Sequence, residues 1–195
     1  MRWADDFIVG FEHRIDAERF LAGLRDRFAK FGLELHPAKT RLIEFGRFAA
    51  TSRARRGLGK PETFDFLGFT HICARSRNGR FWLKRITISK RMRAKLKLVK
   101  DQLRQRMHEP IPEQGRWLGS VVRGHMAYYG VPGNLKAVAA FRDQVARHWL
   151  KTLRRRSQKT RTDWARMHRI ITRWLPPARV MHPFPQERFA ATHPR

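Results

Sequence analysis

Arg2-Trp3-Ala4-Asp5-Asp6-Phe7-Ile8-Val9 sets two adjacent carboxylates between an arginine and an apolar run of strand character. In so basic a chain, exposed neighbouring acids are out of place unless something needs them. A tight hairpin turn would push Asp5 and Asp6 out of a sheet and hold both near one point. Paired carboxylates of that kind suit a divalent cation, and Mg²⁺ suits phosphoryl transfer. The turn makes the head of the chain part of a sheet.

The surrounding segments extend that reading. Phe7 to Phe11 has the character of a short buried strand. A helix is expected from about Asp16 to Phe31, capped by Asp16, with Ile15 and Phe20 spaced as a hydrophobic staple. Phe20, Leu21, Leu24 and Phe28 form its apolar stripe, and Gly32 ends it. Leu33-Glu34-Leu35 alternates and stops before Pro37, which cannot donate to a sheet. Arg41 to Phe45 reads as a further strand. Residues 46–63 read as a basic loop carrying Arg53, Arg55, Arg56 and Lys60, either contacting phosphate or disordered. Next come the aromatic segment Phe64-Asp65-Phe66-Leu67-Gly68-Phe69 and a hairpin from His71 to Ile88, turning at Asn78-Gly79.

Charge separates this head from the rest of the chain. Residues 1–50 carry nine Lys/Arg and eight Asp/Glu, whereas the remaining 145 carry 34 and eight, a net of +26 of the chain's +27. A near-neutral head on a strongly basic body implies a polyanionic partner. Nucleic acid is favoured over a membrane because the excess is interleaved with aromatics and arginine predominates; arginine pairs phosphates bidentately and stacks on bases. Cys73 is the only cysteine, so neither an internal disulfide nor a Cys-based metal site is available. No signal peptide and no apolar span of about 20 residues is visible.

The body, residues 89–195, reads as four amphipathic helices with one apolar face each and dense positive charge elsewhere. The first runs from a Ser89 cap to about His108, with Met92, Leu96, Val99 and Leu103 on one stripe. The second starts near Pro112, carries Trp117, Leu118, Val121, Val122, Met126 and Tyr129, and stops at Gly130. Asn134 caps the third, which bears Val138, Phe141, Val145, Trp149 and Leu153. After the basic link from Arg154 to Lys159, the fourth begins near Thr162, with Trp164, Met167, Ile170, Ile171 and Trp174, and Pro176-Pro177 ends it. Trp117, Trp149, Trp164 and Trp174 fall on apolar stripes and are expected in the core. Tyr128 and Tyr129 cannot both face that core, so one is expected exposed.

Several of these segments, in this order, resemble the reverse transcriptases encoded by group II introns, also called maturases. Arg2 to Phe7 looks like their (Y/F)xDD active-site turn, with tryptophan in the usual tyrosine position. The segment from Gly32 to Thr40 is similar to the next palm motif, whose lysine, here Lys39, is associated with the incoming nucleotide. Phe64 to Phe69 matches the aromatic, glycine-containing hairpin that grips the primer end, and the resemblance makes Phe66, Leu67 and Gly68 the gripping residues. Arg123-Gly124-His125-Met126-Ala127-Tyr128-Tyr129-Gly130 resembles the thumb helix, and Arg155-Arg156-Ser157-Gln158 the basic stretch after it. Singly such motifs are weak; four in order over about 160 residues are strong.

The resemblance implies an α+β fold: a partial antiparallel palm sheet with a helix and a hairpin over residues 1–88, then a basic helical thumb and maturase region over 89–195. It implies RNA-templated DNA synthesis by two-metal chemistry with Mg²⁺, and partners comprising group II intron RNA, an RNA template and a DNA primer. Asp5, Asp6 and Lys39 would be the catalytic residues. Arg53, Arg55, Arg56, Lys60, Arg123, His125, Tyr128, Arg154, Arg155 and Arg156 would contact nucleic acid. The mechanism asks for a third carboxylate on a strand preceding the turn. Glu12 and Asp16 are poorly placed to replace it, so the chain is expected to polymerise only when completed by an N-terminal fingers and palm fragment. The alternative is a stand-alone RNA-binding splicing factor without catalysis. The expected location is the cytoplasm of a bacterial-type cell, with the nucleoid or a ribonucleoprotein.

Overall fold

The computed structural model describes residues 2–3, 6–76, 78–156 and 163–184. The chain divides into two compact units, Met1–Glu62 and Thr63–Arg195. It is a mixed α+β protein, with six helices and a three-stranded antiparallel sheet among the described residues. The boundary at Glu62 lies ahead of the hairpin, whose Phe69 and Thr87 meet Tyr128 and Asn134.

The first unit begins with β1 (Arg2–Trp3) and β2 (Asp6–Phe7), paired antiparallel with Trp3 opposite Asp6. That register leaves two positions between them, Ala4 and Asp5, which lie outside the described residues. The expected buried strand from Phe7 to Phe11 is not present: β2 ends at Phe7, and Val9 and Phe11 are exposed. Neither Leu33–Leu35 nor Arg41–Phe45 forms a strand. Alternation alone does not make a strand, which needs a laterally bonded neighbour over its length.

α1 (Arg14–Ala29) starts two residues ahead of the expected Asp16. His13 holds the cap position without a side-chain bond, and Asp16 sits in the first turn, where its charge suits the helix dipole. Phe20 meets Phe11, with ring centroids 5.2 Å apart, rather than being stapled by Ile15, which is exposed. The basic segment after Phe45 contains a helix, α2 (Ala49–Arg55), in place of the expected loop. Ala17 and Ala49 are the buried apolar residues of this unit, while Phe31, Leu33 and Phe48 are more than half exposed.

The second unit carries the core. β3 (Phe64–Phe66), β4 (Phe69–Arg75) and β5 (Phe81–Thr87) form the sheet in the order β3-β4-β5. Phe66 pairs with Phe69, so Leu67-Gly68 is a two-residue hairpin turn. Arg75 pairs with Phe81, which places Asn78-Gly79 within a five-residue connection instead of the two-residue turn expected of that dipeptide. Ser76 and Arg80 close it, the Ser76 N–H donating to the Arg80 carbonyl at 2.8 Å.

α3 (Ser89–Gln105), α4 (Ile111–Tyr129), α5 (Leu135–Arg155) and α6 (Trp164–Trp174) complete the second unit. Their inward stripes are those expected: Leu96, Val99, Leu103, Leu118, Val122, Met126, Val138, Phe141, Val145, Trp149, Leu153, Met167 and Ile171 form one cluster. Trp149 is fully buried and donates its indole N–H to Gln114 Oε1 at 2.7 Å. Gln114 in turn donates to the Arg106 and Met107 carbonyls of the α3–α4 link, so the buried polar pair is satisfied. Trp164 departs from expectation: at the start of α6 it is half exposed. The helix start expected at Thr162 lies outside the described residues, and Asp163 is the cap, its Oδ1 accepting from the Arg166 N–H at 2.7 Å.

Two glycines set how α6 meets α4. A Cβ at Gly115 would stand 2.5 Å from the Trp174 ring, and one at Gly119 would stand 2.7 Å from the Trp174 carbonyl oxygen. One turn apart on α4, they make the flat on which the end of α6 rests.

Candidate nucleic-acid interface

Asp6 lies in β2 and is exposed, and Asp5 lies outside the described residues. Glu12 is exposed ahead of α1, and Asp16 lies in its first turn. Among the described residues, no group of three or more His, Cys, Asp or Glu side chains is gathered as a metal would need. A two-metal Mg²⁺ centre would need Asp5, which lies outside the described residues, and a further carboxylate beside Asp6. Lys39 is exposed in a turn closed by the His36 carbonyl, which accepts from the Lys39 and Thr40 N–H groups.

The best-defined feature is the turn at Leu67-Gly68. Both residues have positive φ, +48° and +80°, as a type I′ hairpin turn requires. Leucine is rarely found there, and the left-handed conformation costs a residue with a Cβ roughly 1–2 kcal/mol. α4 supplies the restraint: the Tyr128 hydroxyl donates to the Leu67 carbonyl at 2.8 Å. Phe69, just past the turn, stacks on Tyr128 with centroids 5.8 Å apart and meets Tyr129 edge-on at 5.2 Å. The tyrosine pair divides as expected. Tyr128 is half exposed, and Tyr129 is packed against the core, burial holding its phenol above the usual range. Phe66, Leu67, Gly68 and Tyr128 are therefore brought together, with strained backbone at the tip.

A second joint holds the sheet to the helices. Asn134 occupies the cap position of α5, but its side chain makes no cap bond. Its Oδ1 accepts from the Thr87 N–H at 3.0 Å, and its amide donates to Thr87 Oγ1 and to the Tyr129 carbonyl, each at 2.8 Å. Asn134 is 1% exposed and ties together the end of β5, the end of α4 and the start of α5.

The basic residues sort by what they touch. Arg53 and Arg56 both reach Glu44, and Arg53 also donates to the Gly59 carbonyl at 3.0 Å. A bond from Ser52 and those ion pairs hold the Glu44 carboxyl below its usual range. Arg55 and Lys60 are exposed in the same unit. Arg156 turns inward, donating to the Met107 carbonyl at 2.5 Å and to the Glu109 carbonyl, and burial lowers its pKa. Arg142, unremarked in the sequence, closes the end of α6 by donating to the Pro176 carbonyl at 2.8 Å. Arg53, Arg56 and Arg156 are thus already engaged in structural bonds.

Arg123 is exposed on α4 beside Gly119, and Arg154 and Arg155 are exposed at the end of α5. His125 points the other way. It is 7% exposed, stacks on Phe141 at 3.7 Å, and is pushed down to about 4 by burial and by the charge of Lys95. Packed into the core, His125 presents little surface to a phosphate.

Between α3 and α5 lies a groove of about 520 Å³, lined by Lys100, Arg104, Met107, His148, Lys151, Thr152 and Arg155. Of these, only Arg155 stands out in the sequence, as part of an arginine run. The signal for the others is a repeat of two basic residues four apart, Lys100/Arg104 on one helix and Lys151/Arg155 on the other. No carboxylate lines the groove. His148 is lowered by burial and by Lys100 and Lys151.

No family model matches the chain, and no curated protein matches it in sequence. No helix among the described residues is long and apolar enough to cross a membrane.

Proposed function

We propose that the protein binds structured RNA, as a group II intron reverse transcriptase or maturase does with its thumb region, and that the second unit carries this activity. The observation that carries the reading is the outward face of the helical bundle. From Thr63 onward the chain has 30 Lys/Arg against seven Asp/Glu, a net of +23. The exposed cations stand on regular helices whose other faces form a packed core. Such a surface gives affinity through phosphates, with little base discrimination.

The turn at Leu67-Gly68 supports the finer likeness. A strained tip fixed to the α4 tyrosines is suited to holding the end of a primer strand against a template. On this reading intron RNA, an RNA template and a DNA primer are the partners. Polymerisation with Mg²⁺ would require a further carboxylate and a fingers and palm fragment acting with Asp5, Asp6 and Lys39. A second reading stands beside it, a splicing factor that binds RNA without catalysis.

The full chain is expected to retard a structured RNA in a mobility-shift assay, and not to extend a primer given template, nucleotides and Mg²⁺. Extension abolished by Asp5→Ala would overturn the second expectation; failure to retard RNA would overturn the first.

A further inference from the structure

We infer that the groove between α3 and α5 is the seat of one phosphodiester strand, held by Lys100 and Arg104 on one wall and Lys151 and Arg155 on the other. The inference rests on the RNA-binding reading and assigns it a place.

Four like charges face a common groove, and among the described residues no carboxylate forms an ion pair with any of the four. Asp101, next to Lys100, does not line the groove. Each wall repeats its cation after four residues, about 6 Å along the helix axis. Like charges at that spacing destabilise a helix. Two such rows make an elongated positive slot rather than a point. An extended polyanion, with a charge at every phosphate, can neutralise all four cations at once.

His148 adds a polar edge, its pKa lowered first by burial and then by Lys100 and Lys151, and an incoming phosphate offsets the repulsion between those two cations. No Phe, Tyr or Trp side chain lines the groove. Stacking platforms are what single-strand binders use to engage bases. The slot therefore reads backbone and leaves bases outside, and oligouridylate and oligoadenylate should bind alike.

The test compares two quadruple variants of the full chain with equal charge loss. One is K100Q/R104Q/K151Q/R155Q. The other, K90Q/R93Q/K97Q/K136Q, removes exposed cations of α3 and α5 outside the groove. The probe is a fluorescein-labelled oligouridylate of about 20 nucleotides, read by anisotropy across a salt series. The groove variant should lose roughly tenfold or more in affinity, and its log–log salt slope should flatten by about 3, the value for four phosphate contacts on a single strand. The control should lose at least three times less.

Equal losses in the two variants would overturn the groove while leaving RNA binding standing. A wild-type chain that does not bind the probe would overturn the groove, and the RNA-binding reading falls with it only if a structured RNA is not retarded either. If circular dichroism shows the groove variant unfolded, the pairs K100Q/R104Q and K151Q/R155Q take its place. Each should then flatten the slope by about half as much, and a pair that leaves it unchanged removes that wall from the site.

Discussion

Leu67 is where a single residue carries the most tension. A leucine at φ +48° is held by one bond from Tyr128 and by Gly68 beside it. Tyr128→Phe removes that bond and should cost about 1 kcal/mol in chemical denaturation. Leu67→Asn supplies the dipeptide that type I′ turns prefer and should stabilise by about 1 kcal/mol. If Leu67 serves binding, the same change weakens primer-template affinity while stability rises, a split that packing alone would not give. His125 provides a pH signature. Its imidazole sits at about 4 in the fold against 6.5 when free, so the unfolded chain takes up more protons between those values. The contribution is fully present above about pH 6.5 and is lost as pH falls towards 4, by up to about 3 kcal/mol. His71 and His148, also lowered by burial, add slope of the same sign. A thermal-melt series of His125→Gln should be flatter than wild type over that window; an equal slope would place the proton elsewhere.

At the scale of elements, the helices of the second unit are largely legible in the sequence. Their 3.6-residue stripes survive because each stripe finds a partner helix. Bonds made across sequence distance are not legible in the same way. Asn134 looks like a cap by position, yet Thr87 lies 47 residues away and takes the side chain. Asn134→Leu should cost about 2 kcal/mol, since it strands the Thr87 N–H in a buried joint, while the Tyr129 carbonyl keeps its bond from the Val131 N–H. Arg156 looks like one of three phosphate-facing arginines, but the carbonyls it closes, on Met107 and Glu109, belong to another helix link. Charge runs in sequence carry no mark of which member turns inward. The turn dipeptides mislead in the opposite sense: Asn78-Gly79 sits in a longer connection, while unfavoured Leu67-Gly68 makes the tight turn.

For the whole molecule, the contrast between the units decides what is expected of each. The strands expected at 33–35 and 41–45 rest on alternation, which says which face is apolar but supplies no neighbour to bond. In the first unit most large apolar side chains stay exposed, including Phe31 at 69% and Phe48 at 74%. Residues 1–62 expressed alone should bind a hydrophobic dye and melt without a cooperative transition, whereas a chain starting at Thr63 should keep one. The claim that the second unit is an RNA-binding surface is tested most directly by the affinity of the full chain for a structured RNA hairpin between about 50 and 200 mM salt. A log–log slope of about −4 or steeper is the predicted result, from four or more phosphates neutralised. A slope near zero, or no binding at the lowest salt, would contradict it.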